Sequence, residues 1–258
     1  MSVLKILNIC RVTDGFVILL LSSCVTIRVH GGERFLMLKV VVFDTGYGGE
    51  FFADRLEEEL PVIKVIRVIN WRDAEKINSS HRNARRIVEQ SLRPYLNEVD
   101  LIIFANYYLT IATLKYFSRK YKKQKFLGLN LKYPDTFLKR DLLILSVSSV
   151  SRTIVFNYFR LKLNRESKVL NVDSWPLKID DGELTLNEIS QEINGFLSSY
   201  KNYHPEEVIL VSSQFNDIKP ELRTVLGHNL KIYDGFNDLI IKITKTLHLR
   251  GRTGKKAK

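Results

Sequence analysis

Asp44, Thr45, Gly46, Gly48 and Gly49 stand together in VVVFDTGYGGE, residues 40–50. A carboxylate, a hydroxyl and three glycines in so short a stretch suit a site that holds something small and charged. Glycine lets backbone N–H groups come close to a ligand, and a helix starting after the turn would favour an anion. Asp44 is the acid–base candidate of the stretch. It can act as a base or orient a ligand, or it can simply cap the turn through local hydrogen bonds. Three more polar sets close apolar runs: Ala105-Asn106, the group Ser148, Ser149 and Thr153, and Ser212-Ser213-Gln214. Serine is a poor base unless another base activates it, so Ser212 and Ser213 read first as ligand-binding hydroxyls, with Ser213 and Asp44 the residual catalytic candidates. His81 lies beside Arg82, Arg85 and Arg86; it is a further candidate at the mouth of a site, against the plainer reading of a solvated helix face.

Metal chemistry finds no support. The two cysteines, Cys10 and Cys24, and the five histidines have no ligand-type spacing. No metal site and no disulfide framework are expected.

The elements that must position these groups alternate regularly. Strands are expected at 38–43, 62–69, 100–105, 125–130, 141–147, 168–172, 207–212 and 230–233. Helices are expected at 49–60, 74–97, 108–122, 151–164, 185–200, 217–226 and 235–247. Continuous apolar runs such as DLIIFA and DLLILSV suit parallel strands covered on both faces. Alternation with short connections implies parallel sheets. Two halves resemble one another: FDTGYGG answers to LSVSSVS, and LIIFANYY to VILVSSQF. The fold class is therefore α/β, with two parallel-sheet domains related by a pseudo-twofold and a ligand cleft between carboxyl ends of strands.

Composition bounds the partners. The 258 residues are 45% hydrophobic and 26% charged, which gives a globular chain with a sizeable core. A net charge of +12 admits an anionic ligand or nucleic acid. The basic clusters SRKYKKQK (118–125) and HLRGRTGKKAK (248–258) are the places for nucleic acid, though the first also suits a solvated helix end. The second reads as a disordered tail. Residues 16–27 are apolar but short for a membrane span. Met37 directly precedes the first clear strand, so residues 1–36 are expected to be a non-native or disordered extension, with the compact fold beginning at 37. No membrane association and a cytoplasmic location are expected.

The strand followed by Asp-Thr-Gly-Tyr-Gly-Gly resembles the opening of glutamate racemases, in the aspartate/glutamate racemase superfamily. VDLIIFANYYLTIATLKYF (99–117) is similar to the family's strand ending in Cys-Asn-Thr-Ala. VILVSSQFNDIKPELRTVLG (208–227) resembles its strand ending in Gly-Cys-Thr-His, and LKIYDGFNDL its closing strand and turn. The resemblance implies a first domain of 37–128 plus 228–247, a second of 129–227, and cofactor-free chemistry in which two cysteines exchange the α-proton of an amino acid. This chain departs from that pattern at the reacting groups. Ala105 and Ser212 stand at the cysteine positions, Tyr107 at the threonine, and Gln214 at the supporting histidine.

The expectation is a racemase-like protein without racemase activity that keeps a cleft for a small anion such as an amino-acid carboxylate. Asp44, Thr45, Gly46, Gly48, Gly49, Asn106, Ser148, Ser149, Ser212 and Ser213 would form that cleft. An isomerase of altered, cysteine-free chemistry and a basic nucleic-acid-associated protein are the alternatives. A homodimer is compatible with the family resemblance.

Overall fold

The computed structural model describes residues 37–129, 141–147 and 168–249, and the backbone of four short strands between residues 9 and 35. Those four, β1 (Ile9–Cys10), β2 (Val17–Leu21), β3 (Cys24–Val29) and β4 (Gly32–Phe35), pair antiparallel in a sheet of their own. They pair with no strand of the two sheets that follow.

The first of these sheets holds β5 (Leu38–Asp44), β6 (Ile63–Ile69), β7 (Leu101–Phe104) and β8 (Phe126–Gly128), in the order β6-β5-β7-β8. The second holds β9 (Leu142–Ser146), β10 (Lys168–Asn171), β11 (Glu207–Leu210) and β12 (Lys231–Tyr233), in the order β10-β9-β11-β12. All six pairings are parallel. Each half thus places its strands in the same order: second, first, third, fourth. This internal repeat is the pseudo-twofold that the matching segments announced. In each half the chain leaves the first strand one way and later returns on its other side. Carboxyl ends of the neighbouring strands then part at a switch point, where open parallel sheets bind ligands. Asp44 and Ala105 stand at one switch point, Val147 and Val211 at the other.

The apolar runs are buried as their pattern requires. Val40, Val41, Val42 and Phe43 are fully buried, as are Leu101 to Phe104. Each such side chain contributes about 1.5–3 kcal/mol on leaving water. The second sheet shows the period of two: Leu142, Ile144, Ile209 and Val211 join the core of the first half, while Leu143, Leu145, Val208 and Leu210 build a separate core with Trp175, Ile189 and Phe215.

Several elements differ from the sequence expectation. The helix expected at 74–97 is two helices, Ala74–Ser79 and His81–Leu92. Ser80 is extended, and its side chain accepts from Asn83 N, so it starts a new helix instead of continuing the old one. Helix Trp175–Asp180, opened by Pro176 and followed by Gly182 at positive φ, fills a stretch given no element. The resemblance implies that β12, within 228–247, belongs to the first half, yet it pairs with β11. Helix Phe236–Thr246 after it does return, burying Phe236, Leu239, Ile240 and Ile243 in the core of the first half. The helix expected at 151–164, the residues Ser148, Ser149 and Thr153, and the tail beyond 249 lie outside the described residues. Among the described residues, no helix is long and apolar enough to cross a membrane.

Candidate functional site

Asp44 ends β5 and is 1% exposed. Its Oδ1 accepts from Thr45 N at 2.6 Å, the local turn-capping contact expected of an aspartate here. Its Oδ2 accepts from Ser213 Oγ at 3.3 Å, from the other half of the chain. The Asn106 side chain also hydrogen-bonds the carboxyl. Asn106 Oδ1 meanwhile accepts from Tyr108 N and Leu109 N and caps the helix that follows β7. Asn106 is thereby fixed at both ends.

Burial dominates the electrostatics of this carboxyl. Loss of hydration pushes Asp44 up to about 7, although the hydrogen bonds from Thr45, Asn106 and Ser213 favour its charged form. The carboxyl of Asp180 adds a further upward push.

Asp180 is the site residue that sequence reasoning missed. It ends helix Trp175–Asp180 in the second half, yet it meets the glycine turn of the first: Tyr47 N–H and the Gln214 side chain donate to it. Burial pushes its carboxyl up to about 6. Its Oδ1 is buried and has no hydrogen-bond partner among the described residues. The signal was present as Pro176 at a helix start with an acidic pair one turn later. Nothing in local sequence says that this helix end faces residue 47.

Gln214 joins the two acids. Besides its contact with Asp180, its Oε1 accepts from Ser212 Oγ at 2.7 Å and from Ser213 Oγ at 3.4 Å. The chain of contacts runs Asp44–Ser213–Gln214–Asp180–Tyr47 and closes across both halves. The glycines make this closure possible. A Cβ on Gly46 would lie 2.5 Å from Gln214 Nε2, and one on Gly48 would lie 2.1 Å from Ser213 Oγ. Neither glycine has positive φ. Close approach of the second half therefore explains them, rather than backbone conformation. Gly49 lies against Asp44 itself.

The positions that the resemblance pairs with cysteines hold neither a thiol nor an activated hydroxyl. Ala105 is fully buried and donates its N–H to Phe43 C=O at 3.0 Å. The Ser212 hydroxyl is directed to the Gln214 amide oxygen, which cannot take its proton. Tyr107 fills space at the end of β7, is 2% exposed, and donates its hydroxyl to Asp234 C=O in the turn after β12. Gly235 in that turn has positive φ and opens the last helix. His81 opens helix His81–Leu92 with its ring edge-on to Tyr108. No hydrogen bond joins His81 to Asp44, Asp180 or Ser213. Tyr47 and Trp71, both about half exposed, stack edge to face at 4.2 Å beside the glycine turn.

The arrangement can exchange protons near neutral pH through Asp44, and through Asp180 at slightly lower pH. Among the described residues, no group of three or more histidines, cysteines or acids could hold a metal ion.

No protein-family model and no curated protein matches the sequence. Solved structures do match the fold. Escherichia coli glutamate racemase, solved with L-glutamate and the activator UDP-MurNAc-ala, superposes with a TM-score of 0.71 at 15% identity, over 86% of this chain and 87% of that one. Francisella tularensis glutamate racemase, solved with D-glutamate, gives 0.64 at 15% identity, over 84% and 85%. Picrophilus torridus aspartate racemase gives 0.53 at 13% identity, over 83% and 94%. With two parallel sheets of repeated order and the glycine turn closed between them, the chain has the fold of the aspartate/glutamate racemase superfamily.

Proposed function

We propose that this protein binds a small carboxylate between its two halves and does not racemise it by thiol chemistry. The observation that carries the reading is the contact chain from Asp44 to Asp180. It assembles a site from both halves, while Ala105 and Ser212 leave the expected proton-transfer positions without a base. Two structural neighbours were solved with L- or D-glutamate, which supports a carboxylate as the ligand class. The test is saturation-transfer NMR on the full chain with glutarate and with L- and D-glutamate. Transfer that unlabelled ligand competes away is expected. Absence of transfer to all three would sink the reading.

One observation favours a second reading. Asp44 and Asp180 are both pushed toward neutrality, and carboxyls tuned in that way suit acid–base work at physiological pH. A one-base proton exchange at Cα, with Asp44 taking the proton and Ser213 holding Asp44 in place, would be cysteine-free chemistry in the same cleft. Deuterium exchange into substrate separates the two readings.

A further inference from the structure

Away from the cleft, helix His81–Leu92 and the segment after it border a groove of about 520 Å³, lined by Arg82, Arg85, Arg86, Glu89, Arg93 and Tyr116 among others. We propose that this groove is a binding site for condensed phosphate, a run of two or three linked phosphate groups.

Among the described residues, the charge in the groove is uncompensated. Its one acid, Glu89, already accepts from Lys120 Nζ at 2.6 and 2.9 Å and from the Tyr121 hydroxyl. These contacts hold the Glu89 carboxyl below the usual carboxylate range. Arg82, Arg86 and Arg93 are exposed and make no ion pair with any described residue. Arginines elsewhere show the contrast: Arg67 meets Glu50, Asp54 and Glu57, and Arg55 meets Glu59.

Geometry selects the ligand class. Residues 82, 85, 86 and 93 recur at helical spacing, so their guanidinium groups share one face. They extend over roughly 16 Å of axis at about 1.5 Å per residue. Arg85 is preset: its Nε donates to Ala112 C=O at 2.8 Å, and its guanidinium lies 5.2 Å from the Tyr116 ring centre. Planar guanidinium groups grip phosphate oxygens in pairs. A groove of this volume is of small-ligand size. Single-stranded nucleic acid would want an open aromatic platform, and the Tyr116 ring already carries Arg85 and Lys120. The shared chemistry is a phosphate chain, supplied either as inorganic polyphosphate or as the tail of a nucleotide.

The experiment is isothermal titration calorimetry of the full chain with inorganic tripolyphosphate, ATP, AMP and a short oligodeoxythymidine. Saturable binding of tripolyphosphate at one site per chain is expected, weakening with added salt. AMP should bind at least about tenfold more weakly, because one phosphate engages fewer arginines. Equal affinity for ATP and tripolyphosphate identifies the phosphate chain alone as the ligand; tighter ATP identifies a nucleotide. The double change Arg82→Gln with Arg86→Gln should weaken tripolyphosphate by about tenfold or more. The equally charged control Lys122→Gln with Lys123→Gln, on exposed residues outside the groove, should leave it within about twofold. Circular dichroism confirms that both variants fold. No saturable tripolyphosphate binding, equal loss in both double variants, or tighter binding of the oligonucleotide through the same arginines would each overturn the proposal.

Discussion

Ser213 Oγ donates to Asp44 Oδ2 at 3.3 Å, joining residues 169 positions apart and tying the two halves together. Both groups are buried, and the glycine turn lies directly against them. Stability, protonation and ligand entry should therefore be coupled at this point.

Steric coupling is the first expectation. Gly48→Ala puts a Cβ 2.1 Å from Ser213 Oγ and 2.2 Å from its Cβ. Overpacking of this kind costs about 1–3 kcal/mol. Ser213→Gly should recover part of that loss in the double variant, although the Ser213 backbone carbon at 2.8 Å remains. A double-mutant cycle by urea unfolding should show positive coupling between the sites. Additive losses would mean that the halves do not meet here.

The pH dependence of stability has a defined sign. The Asp44 pKa is raised by folding from 3.8 to about 7. The folded state therefore holds the proton more tightly than the unfolded state. Its contribution is fully present below 3.8 and is lost as pH rises toward 7. Asp180, raised to about 6, acts in the same direction. Asp44→Asn removes the larger part of this dependence, so the variant should gain stability relative to the parent between pH 5 and pH 8. The gain is of the order of a few kcal/mol. Urea midpoints at the two pH values check it; equal differences at both would contradict the burial of a neutral carboxyl.

Ligand affinity should follow the same protons. Glutarate carries carboxylates and no ammonium, so charged Asp44 and Asp180 repel it. Its affinity should fall by up to about tenfold per pH unit above the Asp44 pKa, and Asp44→Asn should flatten that fall. Titration between pH 6 and pH 8.5 followed by NMR is the check. A flat profile for the unsubstituted protein would place the ligand away from these acids.

Helix Trp175–Asp180 is held by its first residue. Trp175 is 1% exposed, meets Phe215 edge to face at 6.1 Å, and donates to Glu192. Trp175→Ala should cost about 3–5 kcal/mol, whereas Trp175→Phe keeps most of the ring contact and should cost about 1–2 kcal/mol. Equal losses would show that the helix is anchored otherwise.

Much of this was legible in the residues. Val40–Phe43 and Leu101–Phe104 are apolar on both faces, which only a covered parallel strand explains, and the repeat of strand, polar turn and helix gave the two halves. Asp44, Asn106 and Ser213 could be named because each ends such a run. Asp180 could not, because its role depends on a helix from one half meeting a turn from the other. The break at Ser80 was hidden because polar residues on an exposed helix face look alike whether the helix continues or restarts. The place of β12 is not legible in the pattern because a three-residue strand and the helix after it go to different halves, a distinction set by pairing.

The most direct measurement is deuterium incorporation at Cα. The full chain is incubated with L- and D-glutamate and aspartate in D2O at pH 7 and followed by NMR against a boiled control. No incorporation above the control is expected, while glutarate and glutamate still bind. Incorporation that Asp44→Asn abolishes would contradict that expectation and establish cysteine-free proton exchange in this cleft.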